Sequence, residues 1–384
     1  LLRKIKQFDP YIVVTLIGFM VMSLLLVYSA TIDDITINIS IKKSLAVIGV
    51  GLAGFIATSF FDYRILLKYW YYIYGVGIAS LIGVFFFSKE IKGAKGWFEF
   101  GSIQFQPAEL MKLILIIVIA ALLSKRKGEQ LTFVQDVLPI GLIVLVPFLM
   151  VMKFPDMGNA AIYLIILIGM YWIGNIKYTH VLIGLVIIGV VAFGGYYLYD
   201  SYHDQIVQYL SNHNFAHWVV RLDSFLYPET VNKDWSYQKV NSMTAIGSGG
   251  LTGQGYLQGD MVHDRRIPLA YTDAIFAVVG EEFGFRGSAI LLLLYFVLIY
   301  RMILTAIQST QLSGSYIIIG IVSMFVLQIF QNVGMLIGLM PITGITLPFI
   351  SYGGTSLLIN MVSMGLVMSV RLHQDKLSAY EQGE

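Results

Sequence analysis

Apolar positions along this chain come in long unbroken blocks, with neither the alternation of an amphipathic strand nor the narrow stripe of a soluble helix. The blocks cover residues 11–30, 44–61, 69–88, 108–124, 137–152, 157–174, 178–196, 273–301, 315–338 and 346–370. A helix needs about 20 apolar residues to cross a bilayer, so the pattern predicts an all-α polytopic membrane protein with about ten transmembrane helices. Hydrocarbon cannot satisfy open backbone groups, and the blocks are too long for barrel strands, which leaves helices. Pro139 and Pro147 predict a kink in the fifth span. The first block follows Arg3, Lys4 and Lys6 and ends in Tyr28-Ser29-Ala30, an arrangement resembling a secretory signal. It is longer than the roughly 7–15 apolar residues of such a signal and reads as a retained first helix. No internal repeat is visible, so residues 1–384 read as one integral-membrane domain.

The basic residues between the blocks set an orientation. With the N-terminus inside, the inner segments hold Arg3, Lys4, Lys6, Arg64, Lys68, Lys125, Arg126, Lys127, Lys177, Arg301, Arg371 and Lys376. The short outer loops hold Lys42, Lys43, Lys89, Lys92, Lys95 and Lys153. The bias predicts both termini on the cytoplasmic side. Two outer segments then stand out, 89–107 and the much longer 197–272 between the seventh and eighth spans. A connection of that length usually carries function. Within it, 205–225 reads as an amphipathic helix, with Ile206, Leu210, Trp218 and Leu222 placed to lie on the interface.

Composition agrees: 57% of the residues are hydrophobic and 12% charged, too little charge to keep a soluble surface in water. Membrane lipids are therefore the chain's main surroundings. A net charge of +2 gives no field that points to nucleic acid. The absence of cysteine excludes disulfides, thiolate chemistry and zinc–cysteine sites. The run 247–255 is glycine-rich but lacks the Gly-Lys-Ser/Thr ending of a nucleotide-binding loop, and reads as a flexible loop over a binding groove. His213 and His217 have the spacing of one helix face, but no third metal ligand is evident, and they read as exposed interfacial histidines.

Ionisable residues inside or at the ends of spans are costly, so each is a candidate for function. They are Glu109, Lys112, Asp136, Asp156, Asp273, Glu281 and Glu282, and all but Asp136 lean to the outer side. Glu109 and Lys112 share one helix face behind Gln106 and Pro107, as a structural ion pair or as part of a site. Asp156, between Pro155 and Gly158, suits a helix N-cap as well as a site residue. Asp273 opens the eighth span just after the long loop, where it would cap the helix or, partly desolvated, act as a general base. Of the adjacent Glu281 and Glu282, one is expected to face the interior and the other to point elsewhere.

Several segments, in order, resemble the SEDS family of shape, elongation, division and sporulation proteins. They are Lys92-Gly93-Ala94-Lys95-Gly96-Trp97, Phe105-Gln106-Pro107-Ala108-Glu109-Leu110-Met111-Lys112, Pro155-Asp156-Met157-Gly158 and Arg221-Leu222-Asp223-Ser224-Phe225-Leu226-Tyr227-Pro228. Then come Tyr237-Gln238 leading to Ala245-Ile246-Gly247-Ser248-Gly249-Gly250, Thr272-Asp273 with Gly280-Glu281-Glu282, and Asn332-Val333-Gly334-Met335. The last is Pro341-Ile342-Thr343-Gly344-Ile345-Thr346-Leu347-Pro348-Phe349-Ile350-Ser351-Tyr352-Gly353-Gly354. Met335 and the Gly344–Pro348 run resemble the RodA branch more than the FtsW branch. Ala274 and Tyr271 depart from the family's usual phenylalanine after the aspartate and its frequent histidine before the threonine.

The resemblance implies a peptidoglycan glycosyltransferase in a bacterial plasma membrane, polymerising lipid II at the outer face for elongation and cell shape. It implies Asp273 as the catalytic residue, with Glu109 and Lys112 as the family's helix-four glutamate and lysine; Asp156, Arg221, Gln106, Glu281 and Ser351 are further candidates for supporting the site or the substrate. It also implies a class B penicillin-binding protein as partner and no organic cofactor. A magnesium or manganese ion would suit the pyrophosphate leaving group. The rival readings are a flippase for lipid-linked precursors, a division or sporulation polymerase, and a non-catalytic scaffold.

Overall fold

The structure is a computed structural model and describes residues 7–33, 41–88, 96–100, 103–154, 156–212, 219, 223, 226–227 and 233–374. In chain order come helices α1 (Pro10–Thr31), α2 (Ile41–Phe60), α3 (Tyr63–Lys68) and α4 (Trp70–Phe87). Strands β1 (Phe98–Phe100) and β2 (Ile103–Phe105) form an antiparallel hairpin with Phe98 opposite Phe105. Helix α5 (Pro107–Ser124) and a π-helical turn at Phe133–Val137 lead to α6 (Leu138–Lys153), α7 (Met157–Ile173) and α8 (Tyr178–Ser201). Then follow α9 (His203–Asn212), α10 (Lys233–Ser248), α11 (Asp260–His263), α12 (Ile275–Ile307), α13 (Leu312–Leu336) and α14 (Gly354–Leu372). Among the described residues, 9 helices are long and apolar enough to cross a membrane, and Met157–Ile173 is a shorter apolar helix, matching the ten predicted blocks.

Helix α5 is the hub. Buried residues make up 83% of its most apolar window, against 0% for α8, whose surface is left for lipid. Pro107 opens α5 in the first turn, where its missing N–H costs nothing. At one end of the bundle, Asp9 caps α1 by accepting from the backbone of Tyr11 at 3.0 Å. The same carboxylate binds Arg301 Nε of α12 at 3.1 Å and Arg371 Nη1 of α14 at 2.8 Å. One buried acid thus ties the first, eighth and last spans together. Asp136, the acid expected to lie apart from the others, pairs with Arg126 at 2.6 Å and with Thr132.

Three expectations change at the other end. Helix α14 begins at Gly354, so residues 346–353 are irregular: Pro348 has no N–H to donate and Phe349 has φ +65°. Irregular backbone at membrane depth survives only when buried in protein and paired. Here Ser23 donates to the Ile350 carbonyl at 2.7 Å, Tyr295 to that of Pro348, and the Leu347 N–H to Ser351 Oγ at 2.8 Å. Helix α12 begins at Ile275, so Asp273 lies in the preceding turn, and no side chain caps the helix.

The third change concerns the glycine-rich run. Helix α12 breaks at Gly284, with φ 62° and ψ −157°. The run does not hang over a groove; it docks into this break. Gln254 and Gly255 donate to the carbonyls of Glu281 and Glu282 at 2.9 and 3.0 Å, and Phe285 and Arg286 donate to those of Gly250 and Leu251 at 2.8 and 3.1 Å. In the amphipathic stretch, α9 is helical with Ile206 and Leu210 half-buried, while His213, His217, Trp218 and Leu222 lie outside the described residues. Pro139 sits in the first turn of α6 and Pro147 inside it.

Gly284 occupies a backbone region that is essentially glycine-only, and a Cβ there would meet backbone of Gly253, Gly249 and Gly250. Gly284→Ala is expected to destabilise the protein by about 2 kcal/mol or more. Gly18→Ala, with open space at its Cβ, should change little. Thermal unfolding of the two purified variants checks this, and equal midpoints would count against the docked break.

Candidate active site

Asp273 is delivered by a tight turn. Leu269 adopts φ +55°, and its carbonyl accepts from the Thr272 N–H at 2.9 Å, which brings the chain round before α12 starts. The Asp273 side chain is buried, and the Thr272 hydroxyl donates to its Oδ1 at 3.1 Å. Gln238 of α10 lies beside the carboxylate. A Cβ on Gly344 would sit 3.9 Å from Oδ2, so the glycine leaves that oxygen uncrowded. From α13, the Asn332 amide donates to the Asp273 carbonyl and to the Ile345 carbonyl, both at 2.7 Å. Asp273 lies outside the helical span, and burial pushes its carboxyl above the ordinary carboxylate range, with the hydrogen bond from Thr272 and the neighbouring Gln238 amide pulling the other way.

The second group gathers at the start of α5 and α7. Lys112 Nζ lies 2.7 Å from Glu109 Oε2, with the lysine side chain fully buried and the glutamate 8% exposed. The approach is too oblique for a hydrogen bond, so both atoms keep unused hydrogen-bonding capacity among the described residues. Asp156 caps α7 through the Asn159 N–H at 3.1 Å, and also accepts from Asn159 Nδ2 and Gln106 Nε2, each at 2.8 Å. Burial is the largest influence on the Asp156 carboxyl and raises it; Glu109 raises it further and Lys112 opposes. Gln106, Glu109, Lys112 and Asp156 therefore form one electrostatic unit, and Asp156 is both cap and member. The Tyr163 hydroxyl, donating to the Ala108 carbonyl at 2.8 Å, fixes α7 to α5 beneath it.

The segment 341–345 lies between the two groups. Gln331 of α13 reaches the Pro341 carbonyl and the Thr343 hydroxyl, each at 3.3 Å. Gly158, two residues past Asp156, packs so closely that a Cβ would meet Thr343 Cβ at 3.3 Å and press on Ile345. Gly344 faces Asp273 on the other side. The hairpin is tied in as well: Thr355 Oγ1 accepts from the Gln106 N–H at 3.2 Å and donates to the Gln104 carbonyl at 2.8 Å. Tyr271, one of the two departures, stacks edge-on against Tyr352, and the Tyr352 N–H donates to its carbonyl at 2.9 Å.

The remaining candidates divide. Glu281 accepts from the Met261 and Val262 N–H groups at 2.6 and 3.1 Å and so holds α11 in place. Glu282 accepts from the Ser29 hydroxyl. The expectation that only one of these acids faces the interior is corrected. Both are buried, because α11 covers one side of the helix and α1 the other. Ser351 closes the turn on Leu347, and Arg221 lies outside the described residues. Reasoning from ionisable residues alone passed over Gln238 and Gln331 and gave Asn332 no role, although amides inside an apolar span were a visible signal. Among the described residues, no three His, Asp or Glu side chains converge to hold a metal ion.

The family model for cell cycle proteins of the FtsW, RodA and SpoVE type matches residues 8–376. The chain is 30% identical to the peptidoglycan glycosyltransferase MrdB of Escherichia coli strain K12, over 96% of this chain and 95% of that protein. It is 34% identical to stage V sporulation protein E of Bacillus subtilis, over 72% and 71%. Its structure is similar to a chain of a peptidoglycan synthase complex described as coordinating polymerisation and crosslinking, with TM-score 0.78, 26% identity and coverage of 96% and 99%. It is also similar to the rod shape determining protein RodA of Thermus thermophilus, with TM-score 0.69, 26% identity and coverage of 96% and 97%. With a match over nearly its whole length, the chain belongs to the FtsW/RodA/SpoVE family of integral-membrane proteins.

Proposed function

We propose that the chain is a peptidoglycan glycosyltransferase that polymerises lipid II at the outer face of a bacterial plasma membrane. The observation that carries this reading is the buried Asp273 carboxylate, facing the same short segment as the Glu109–Lys112–Asp156 unit. The names of the relatives support the reaction class. A role in elongation and cell shape rests on Met335 and the Gly344–Pro348 run, which resemble the RodA branch.

In this reading the 4-hydroxyl of one lipid II attacks the anomeric carbon of another glycan, and a lipid pyrophosphate leaves from the opposite face with inversion. Asp273 takes the hydroxyl proton, and burial raises its basicity toward the task. The pyrophosphate gains charge as the bond breaks and needs preorganised positive charge. Lys112, whose ammonium keeps unused donors, supplies it, and Glu109 holds that lysine while the site is empty. Arg221 would add a second cation from the long loop. A magnesium or manganese ion would neutralise charge on the leaving pyrophosphate; among the described residues no three His, Asp or Glu side chains converge to hold one, and no step here passes through it. The synthase complex among the similar structures supports a class B penicillin-binding protein as partner, which would crosslink the strands this chain makes.

Three outcomes are expected. Asp273→Asn keeps size and hydrogen bonding but cannot take the proton, so it should insert and fold yet lose about 10²–10⁴-fold in lipid II polymerisation. Near-wild-type synthesis by that variant would sink the assignment, and a transporter would show a transport defect with no polymerase to lose. Glu109→Gln removes the charge that balances Lys112 and should lower polymerisation by about tenfold, roughly 1.4 kcal/mol in the barrier, while eluting as folded protein in size-exclusion chromatography. For orientation, cysteine at the fully exposed Asp204 should react with an impermeant thiol reagent in intact cells, and cysteine at Lys127 should not. The opposite labelling would invert the topology.

A further inference from the structure

Asp273 sits at the end of a segment that is strained. Between α11 and the aspartate, Arg265 and Leu269 adopt φ of +58° and +55°, and Leu257 just before α11 has φ +60°. Each such residue costs about 1–2 kcal/mol and persists only where the surroundings hold it. Three holds are already in place. Glu281 takes the first amides of α11, Asn241 Nδ2 donates to the Arg266 carbonyl at 2.6 Å, and Tyr352 donates to the Tyr271 carbonyl. They tie the segment to α12, α10 and the irregular stretch before α14. The fourth is His263. Its Nδ1 meets the Asp33 carboxylate just past the end of α1, and its Nε2 lies 3.7 Å from Glu282 Oε1. The imidazole thus links the segment to the end of α1, as the Tyr256 hydroxyl, donating to the Leu25 carbonyl at 3.2 Å, links its start to the middle of that helix.

The link spans a gap. A small, partly open cavity separates the end of α1 from the segment, with Ser29, Ala30, Asp33, His263, Leu269 and Tyr271 in its wall. Glu282 is fully buried, His263 20% exposed and Asp33 52% exposed, so the ring connects a dry carboxylate to a wet one. A neutral imidazole has one N–H and one lone pair, whereas the charged ring has two N–H donors. Two carboxylates on opposite nitrogens are both satisfied only by the charged ring. A neutral ring must turn a lone pair toward one of them.

We propose that His263 is a positioning residue for Asp273: bridging Asp33 and Glu282 in its doubly protonated form, it clamps the segment carrying Asp273 against α1. This rests on the reading of Asp273 as the base. Loss of one ring proton releases one end of the clamp, relaxes the Leu269 turn and turns Asp273 away from the hydroxyl. The groups around the ring are the carboxylates of Asp33, Glu282, Glu281 and Asp260, the Arg265 guanidinium at the cavity, and Tyr256, which lies close to Glu282. Glu282→Gln offers a way round the proton. Its amide nitrogen, turned to the position of Oε1, donates one hydrogen to a neutral ring and one to the Ser29 oxygen; its carbonyl, turned there instead, accepts from a charged ring and from the Ser29 hydroxyl, so both contacts survive whichever form the imidazole takes.

The test uses the full chain in liposomes, with kcat and KM for lipid II measured from about pH 6 to about pH 8.5, the range in which histidine titrates. Wild-type kcat should fall about tenfold toward the alkaline end, in line with one lost charged contact, while KM stays within about twofold. Glu282→Gln should hold wild-type low-pH turnover flat across the range, and His263→Ala should be about tenfold slow at every pH. A second readout does not depend on polymerisation. The chain has no native cysteine, so Ala30→Cys in the cavity wall can be labelled alone. Its labelling rate, relative to the same protein unfolded, should rise with pH in the wild-type background and not with Glu282→Gln. If Asp273 is not the base, this labelling pattern still appears and only the kinetic arm fails. An equal alkaline fall in wild type and Glu282→Gln, together with Ala30→Cys labelling that follows the thiol's own ionisation alone, overturns the clamp.

Discussion

Hydrocarbon cannot hydrogen-bond to a peptide group, so every departure from regular helix in this chain has to be re-paired within the protein. That constraint explains why the structure places its irregular backbone where it does. The break at Gly284 is filled by the glycine-rich run, and the stretch before α14 is held by Ser23, Tyr295 and its own Ser351. The Asn332 amide, buried in α13, donates at once to the turn that carries Asp273 and to the segment that borders Asp156. A hydrogen-bonding need imposed by the membrane thus becomes a device that fixes two halves of a site relative to each other.

The two halves differ in their electrostatics. Glu109, Lys112 and Asp156 are near neighbours, so a buried cation offsets much of the cost of two acids. Asp273 is held by the neutral groups of Thr272, Gln238 and Asn332. A carboxylate buried among neutral donors is driven up, which suits a base. A lysine already paired with a carboxylate is ready to exchange that partner for a phosphate. In the proposed mechanism this arrangement keeps proton removal and charge stabilisation apart, on opposite sides of residues 341–345.

Much of this was legible in the residues. Spans read from apolar blocks match the helices because a bilayer thickness imposes a length that propensity cannot blur. Asp156 reads as a cap from its place between Pro155 and Gly158, and it is one. The failures share a cause. Residues 346–353 are apolar enough to extend a span, and only tertiary pairing tells a buried irregular strand from a helix. The glycines at 249–255 look mobile when taken alone, since their partners are the carbonyls of a helix break 30 residues on. Adjacent acids on a regular helix point in different directions, as Glu281 and Glu282 do; the expectation that only one is buried failed because α1 and α11 enclose the helix on both sides.

The central claim is that a buried Asp273 takes the acceptor's proton. Its most direct test is the acid limb of the pH–rate profile for kcat, followed in the wild type and in the residual activity of Asp273→Asn. The base works only when ionised, and its carboxyl is raised by burial, so the wild-type rate should fall as pH drops through a midpoint above the ordinary carboxylate value of about 3.9. In Asp273→Asn that limb should be gone. The account is contradicted if the wild-type rate stays level down to about pH 4, or if the variant keeps the same limb.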